Sequence, residues 1–131
     1  MLQIAIISSS VRTGRNSNRV ALYFKNYLLE NKLASVEILD LTEYKFPLFE
    51  ERLRLQKNPT DAALDFAKKV KNADGVIIVT PEYNGGYPAS LKNVIDLLYD
   101  ERNHLPLTHS PLPSAGYRSQ VPGFLKTWYA F

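Results

Sequence analysis

Two stretches of the sequence concentrate the residues able to do chemistry. The first is SSSVRTGRNSN, residues 8–18; the second is TPEYNGGYPASLKN, residues 80–93. In the first, Ser8, Ser9, Ser10, Thr13, Asn16, Ser17 and Asn18 offer neutral hydrogen-bond donors, while Arg12 and Arg15 offer positive charge. Several neutral donors beside one or two cations suit a terminal phosphate monoester. A helix starting just beyond them adds free backbone N–H groups aimed at the same place. A polar strand-to-helix loop with an ordinary cap accounts for the same residues, and composition does not separate the two accounts. The stretch has no Gly-Lys-Ser/Thr of a Walker loop, no Gly-x-Gly-x-x-Gly fingerprint, and no cysteine nucleophile of a small tyrosine phosphatase.

The second stretch carries a different kind of recognition. Gly85 and Gly86 are expected to permit positive φ and close backbone approach. Pro81 fixes its own φ and lacks an N–H, and Glu82, Tyr83 and Asn84 follow it from the end of an apolar run. Such a loop lines a flat heteroaromatic ring, with backbone amides at the polar edge and Tyr83 or Tyr87 packed nearby. A glycine turn before a proline-started helix explains Gly85, Gly86 and Pro88, but not the cluster of Glu82, Tyr83 and Asn84. Together the loops describe a ligand with a phosphate at one end and a planar ring at the other, the shape of flavin mononucleotide (FMN). Neither loop holds an acid–base pair or a nucleophile, so no catalytic residue is assigned. That is the expected state when a cofactor does the redox chemistry and the protein holds it.

Both loops need rigid elements behind them. Residues 2–7 are apolar apart from Gln3 and read as a strand buried on both faces. From about residue 18 to 31, Val20, Tyr23, Phe24, Tyr27 and Leu28 recur at helical spacing, with Ser17 or Asn18 as N-cap. Residues 35–41 are a second strand. The following stretch, to about residue 59, shows no period and reads as a long connection. Asn58-Pro59 marks a boundary, and Thr60 or Asp61 caps a helix that turns Ala63, Phe66, Ala67 and Val70 inward. Residues 75–80, GVIIVT, are the strongest strand signal, and Pro88 opens a helix with Leu91, Val94, Ile95 and Leu98 inward, ending near Tyr99. Strand and helix therefore alternate three times, which predicts an α/β fold with a parallel sheet covered on both faces. In such a sheet ligands bind outside the carboxyl ends of the strands, where the strand order reverses.

The bulk properties narrow the setting. A chain of 131 residues suits one domain, and 45% hydrophobic with 22% charged residues is ordinary for a globular one. The net charge of +3 is dispersed rather than clustered, which argues against a nucleic-acid surface and leaves room for a small anionic ligand. The absence of cysteine removes disulfides and zinc–thiolate sites. No apolar stretch approaches the ~18 residues of a spanning helix, and no basic segment precedes the short N-terminal apolar run. A cytoplasmic protein without a membrane span or signal peptide is expected.

At the two loops the sequence becomes specific. SSSVRTGRNSNRVA together with VIIVTPEYNGGYPASLKNVIDLLY resembles the NADPH-dependent FMN reductase family over residues 1 to about 100. The second motif is the stronger match; in the first, the family often has glycine where Ser9 stands. The resemblance implies a flavodoxin-like three-layer α/β/α fold with sheet order 2-1-3, continued by strands four and five in a full member. It implies FMN across the carboxyl edge, its phosphate held by Ser10, Arg12, Ser17 and Asn18, its isoalloxazine lined by Pro81, Glu82, Tyr83, Asn84 and Gly85. It further implies NAD(P)H as co-substrate, hydride passed through FMN to flavins, quinones, azo dyes or metal ions, and a homo-oligomer.

The last third departs from that pattern. Residues 101–131 read as a divergent tail of the same domain. Pro106, Pro111 and Pro113 spoil the place of a fourth strand, Ser114-Ala115-Gly116 is at most a remnant of a flavin-contacting loop, and fifteen residues after Gly116 leave no room for a helix, a strand and another helix. The fourth and fifth strands are expected to be degraded or missing, which would leave 75–80 as an exposed apolar edge. A non-catalytic relative with weak or no FMN binding therefore stands as the alternative. His104 and His109 read as solvated loop residues, and Trp128, Tyr129 and Phe131 as packing.

Overall fold

The computed structural model describes residues 1–98. These form β1 (Leu2–Ser8), α1 (Ser17–Glu30), β2 (Ala34–Asp40), α2 (Leu41–Tyr44), α3 (Asp61–Asn72), β3 (Gly75–Val79) and α4 (Ala89–Leu97), with one 3-10 turn at Leu53–Leu55. The expectations for a fourth and fifth strand, the 114–116 loop, the two histidines and the aromatic terminus lie outside the described residues. The three strands make one parallel sheet in the order β2-β1-β3, the order expected from the sequence.

Strand β1 dictates the layering. Alternate side chains face opposite sides of a sheet, and β1 is apolar on both. Ala5 and Ile7 join Leu39 and Ile78 in one core; Ile6 and Ile4 join Val79, Ile77, Val36 and Ile38 in the other. Both faces must therefore be covered. Ala21, Val20 and Phe24 of α1 cover the second core, while Ala63, Phe66, Ala67 and Val70 of α3, Leu91, Val94 and Leu97 of α4, and Leu98 just after it cover the first. Phe66 is fully buried, with Tyr44 and Phe46 edge-on to its ring at 4.8 and 5.3 Å between centroids.

Helix α1 differs from its expected facing. Tyr23 and Tyr27 are 65% and 49% exposed and stack on each other. The line against the sheet runs instead through Ser17, Ala21, Phe24 and Leu28, where small side chains at the first two positions let the helix approach closely; the tyrosines fall to its flank. The N-terminus also differs. Asn16 is the cap residue and Ser17 is already helical, so neither Ser17 nor Asn18 caps the helix. For α3 the cap is Thr60, whose hydroxyl accepts from the Ala63 amide at 3.3 Å.

The connection after β2 is more ordered than its lack of period indicated. Asp40 caps the short α2 by accepting from the Thr42 amide at 2.9 Å, and Leu41 and Leu53 are buried. The Phe49 amide donates to Asn93 Oδ1 at 2.6 Å, and Asn93 Nδ2 donates to the Pro47 carbonyl at 2.8 Å. Single side chains, not a repeating apolar face, pin this segment, and such contacts leave no periodic trace.

Register completes the frame. Ser8 pairs with Asp40 on one side and Val79 on the other, so all three strands end level. The loops leaving β1 and β3 therefore start side by side. Phe66→Ala should destabilise the protein by about 3–5 kcal/mol in urea unfolding, from lost burial and the cavity left beside Tyr44 and Phe46; a change under ~1 kcal/mol would show that the core does not depend on this ring.

Candidate functional site

The loop after β1 is tied down at every step. The Ser9 amide donates to the Val79 carbonyl at 3.1 Å, extending the β1–β3 ladder by one residue. The Ser9 carbonyl accepts from Ser90 Oγ at 2.6 Å, which holds the first turn of α4 against the loop. Ser8 Oγ donates to Asn18 Oδ1 at 3.2 Å, which holds the first turn of α1. Two helix starts thus converge on one strand end. Ser8, Ser9 and Ser10 are fully buried, an unusual run of polar side chains to take from water.

A cleft of about 250 Å³ lies at this edge, lined by Ser10, Arg12, Gly14, Arg15, Asn16, Ser17, Val20, Pro81 and Tyr83. Both loops contribute, and they touch. Ser10 Oγ and the Tyr83 hydroxyl are 2.6 Å apart, and the Arg12 guanidinium lies over the Tyr83 ring at 5.9 Å. Helix α1 opens into the cleft with no side-chain cap on its first amides. Ser17 Oγ, on that first turn, is buried and has no hydrogen-bond partner. An unpartnered buried hydroxyl costs about 1–3 kcal/mol, so its place beside free helix amides and Arg12 fits an anion that accepts from all three. The volume is below the ~300 Å³ of the smallest typical ligand pockets, so the cleft suits the anionic end of a longer ligand.

The two arginines have separate fates. Arg12 is exposed and has no carboxylate partner among the described residues. Arg15 is spent: its guanidinium grips the Asp40 carboxylate with both terminal nitrogens, and Nη1 also donates to the Ser10 carbonyl at 2.6 Å. Burial pushes the Asp40 carboxyl up, but hydrogen bonds from Arg15 and from the Thr42 amide and hydroxyl outweigh it and hold the group below its ordinary value.

The second loop is a two-residue hairpin. Tyr83 and Gly86 exchange both backbone hydrogen bonds, at 2.7 and 3.1 Å, across Asn84 and Gly85. Asn84 and Gly85 both have positive φ, 53° and 78°, the Asn-Gly signature of a type I′ turn. Of the two glycines expected to permit positive φ, Gly85 uses that freedom and Gly86 does not. The Glu82 carboxylate accepts from the Gly85 amide and braces the turn.

Of the residues singled out from sequence, Ser10, Arg12, Ser17, Pro81 and Tyr83 line one cleft. Asn18, Glu82, Asn84 and Gly85 do not: Asn18 is engaged by Ser8, and the other three form the hairpin that carries Tyr83. Asp40 and Ser90 escaped notice. Asp40 had a readable signal, an acid at a strand end two residues before a threonine, which is the spacing of an Asx-type cap. Among the described residues no group of three His, Cys, Asp or Glu is placed to hold a metal ion, and no helix is long and apolar enough to cross a membrane.

The family model described as NADPH-dependent FMN reductase matches residues 2–121, running past Tyr99, where the sequence motifs end. An NAD(P)H-dependent FMN reductase of Schizosaccharomyces pombe is 32% identical over 134 residues, covering 95% of this chain and 67% of the relative. A quinone reductase of Escherichia coli is 34% identical over 98 residues, covering 74% of this chain and 50% of the relative. The chain thus spans half to two-thirds of the length of these relatives. Among solved structures, the flavoenzyme NAD(P)H:(acceptor) oxidoreductase FerB of Paracoccus denitrificans superposes with a TM-score of 0.57 at 24% identity, over 74% of this chain and 50% of that one. At that identity the likeness concerns the fold.

Two outcomes follow from the buried polar groups. Ser9 Oγ is fully buried and unpartnered; Ser9→Ala should therefore raise stability, by up to about 1–3 kcal/mol, in chemical denaturation, and a loss would show that the hydroxyl has a partner in solution. Because the Asp40 carboxyl is depressed in the folded protein, its stabilisation is fully present above its ordinary value of 3.8 and is lost as pH falls through the lower folded-state value. The stability gap between wild type and Asp40→Asn should accordingly be constant near neutral pH and close in that acid window; a gap that widens on acidification would contradict the assignment.

Proposed function

The chain belongs to the NADPH-dependent FMN reductase family, and from that membership and the cleft we propose that it is an FMN-dependent NAD(P)H oxidoreductase. The observation that carries the reading is the unpartnered Ser17 hydroxyl, buried at the uncapped start of α1 in the same cleft as Arg12, Ser10 and Tyr83. Ser10, Arg12 and Ser17 hold the phosphate, with Asn18 fixing the helix turn that presents Ser17. Pro81 and Tyr83 begin the wall for the ring, and Glu82, Asn84 and Gly85 complete it as the braced hairpin. FMN, when bound, supplies the redox chemistry: hydride in from NAD(P)H and two electrons out to a flavin, quinone or azo acceptor.

The protein's part in this is binding and orientation. Uncapped amides and Arg12 supply positive potential at one end of the cleft, which favours a phosphorylated flavin over its dephosphorylated form. The buried serines approach the ligand on rigid strand and helix ends rather than on a free loop, which limits the ordering cost of binding. Under this reading the chain acts as a homo-oligomer in the cytoplasm.

The alternative reading is a non-catalytic relative with weak or no FMN binding. Absorption spectra after adding FMN and removing the excess, followed by NAD(P)H oxidation with a quinone, separate the two. The proposal expects a retained flavin spectrum and NAD(P)H consumption. Retained flavin without consumption, or no retained flavin, overturns the oxidoreductase and supports the non-catalytic relative. Arg12→Ala should weaken FMN binding by about 1.5–3 kcal/mol, as befits a charge-assisted contact, and leave riboflavin, which lacks the phosphate, unchanged. Equal losses for both ligands would remove Arg12 from the phosphate site.

A further inference from the structure

We propose that Arg15 and Asp40 form a positioning clamp that sets the shape of the phosphate loop, and that Arg15 is not itself a phosphate ligand. The inference rests on the flavin reading of the cleft, and it assigns a role to the one cation of the loop that the cleft cannot use as a free charge.

Arg15 lines the cleft, yet its donors point elsewhere. Nη1 donates to Asp40 Oδ1 and to the Ser10 carbonyl, both at 2.6 Å, and Nη2 donates to Asp40 Oδ2. The two side chains are only 15% and 11% exposed. Asp40 is fixed in turn, because it accepts from the Thr42 amide at 2.9 Å and from the Thr42 hydroxyl at 2.7 Å, and it pairs with Ser8 in the sheet. A chain of contacts therefore runs from the end of β2, through Asp40 and Arg15, to the backbone of Ser10, whose side chain meets Tyr83. The clamp closes the segment between residues 10 and 15 into a ring and thereby sets where Ser10 and the start of α1 stand.

Charge supports the same assignment. A planar, two-point guanidinium–carboxylate contact is the geometry in which arginine binds most specifically. Turning Arg15 toward a dianion would leave the Asp40 carboxylate buried without its partner, beside an incoming negative charge. The net contribution of the pair to the cleft is near neutral, which leaves Arg12 and the helix amides to attract the phosphate.

The two roles for Arg15 predict opposite signs for one substitution. Asp40→Asn removes a negative charge and frees Arg15. If Arg15 were a ligand, FMN would bind as tightly or more tightly. If it is a clamp, the loop loosens and FMN binds about tenfold more weakly, while riboflavin binding holds. The full-length chain without cofactor, as wild type, Asp40→Asn and Arg15→Lys, should be compared by amide hydrogen exchange and by titration with FMN and riboflavin. The clamp predicts exchange at residues 10–17 accelerated in both variants about tenfold beyond any rise that the β1 and β3 amides show from lost global stability. A uniform rise across the sheet, or no rise, overturns it, as does undiminished FMN affinity in Asp40→Asn. Should wild type bind neither flavin, the flavin reading fails and the exchange result alone decides the clamp. Should Asp40→Asn not fold, Arg15→Lys carries both measurements: it keeps the charge but loses the fork, so the clamp expects a loosened loop and weaker FMN binding, and wild-type values for both overturn it.

Discussion

The level ending of three parallel strands is the constraint on which the site depends. Ser8 sits between Asp40 and Val79 in the ladder, so backbone hydrogen bonding alone decides that two loops far apart in sequence leave from one edge. A shift of one residue in either pairing would swap the side chains of β1 between its two covered faces, where Ala5 and the isoleucines do not fill the same space. The double-sided core of Ala5 and Ile7 on one face and Ile4 and Ile6 on the other makes that shift costly. Packing thus protects the register, and the register places the cleft.

From that edge, polar contacts take over from apolar ones. Three buried serines in a row are a poor choice for a core, yet each position is put to use: Ser8 with Asn18, the Ser9 backbone with Val79 and Ser90, Ser10 with Tyr83. The exceptions are the hydroxyls of Ser9 and Ser17. They differ in meaning. Ser17 lines the cleft, whereas Ser9 does not. Arg15 and Asp40 spend their charges on each other, whereas Arg12 has no carboxylate partner among the described residues.

Much of the fold was legible because it rests on repeated patterns. The run GVIIVT and the spacing of Ala63, Phe66, Ala67 and Val70 are periodic signals, and each element appears where expected. Facing was harder to read on α1, because Tyr23 and Tyr27 share the apolar period but are displaced by the smaller Ser17 and Ala21, which pack closer. The order in residues 41–59 left no pattern, since it depends on single contacts such as Asn93 with Pro47 and Phe49. Within the site, the composition of the loops marked the residues that line the cleft but not which of them are spent on one another. The contact between Arg15 and Asp40 spans 25 residues in sequence, and only the β1–β2 register brings them together. The type I′ turn at Asn84-Gly85 was not read from the sequence; it accounts for Glu82, Asn84 and Gly85 as builders of the turn and leaves Pro81 and Tyr83 at the cleft.

The most direct test of two loops gripping one phosphorylated ring is a residue-resolved NMR titration of the full chain. With FMN, the amide resonances of residues 10–17 and 81–86 should shift together, with one shared dissociation constant. With riboflavin, the shifts should be confined to residues 81–86. Shifts elsewhere on the sheet, or in only one loop on adding FMN, would contradict the account.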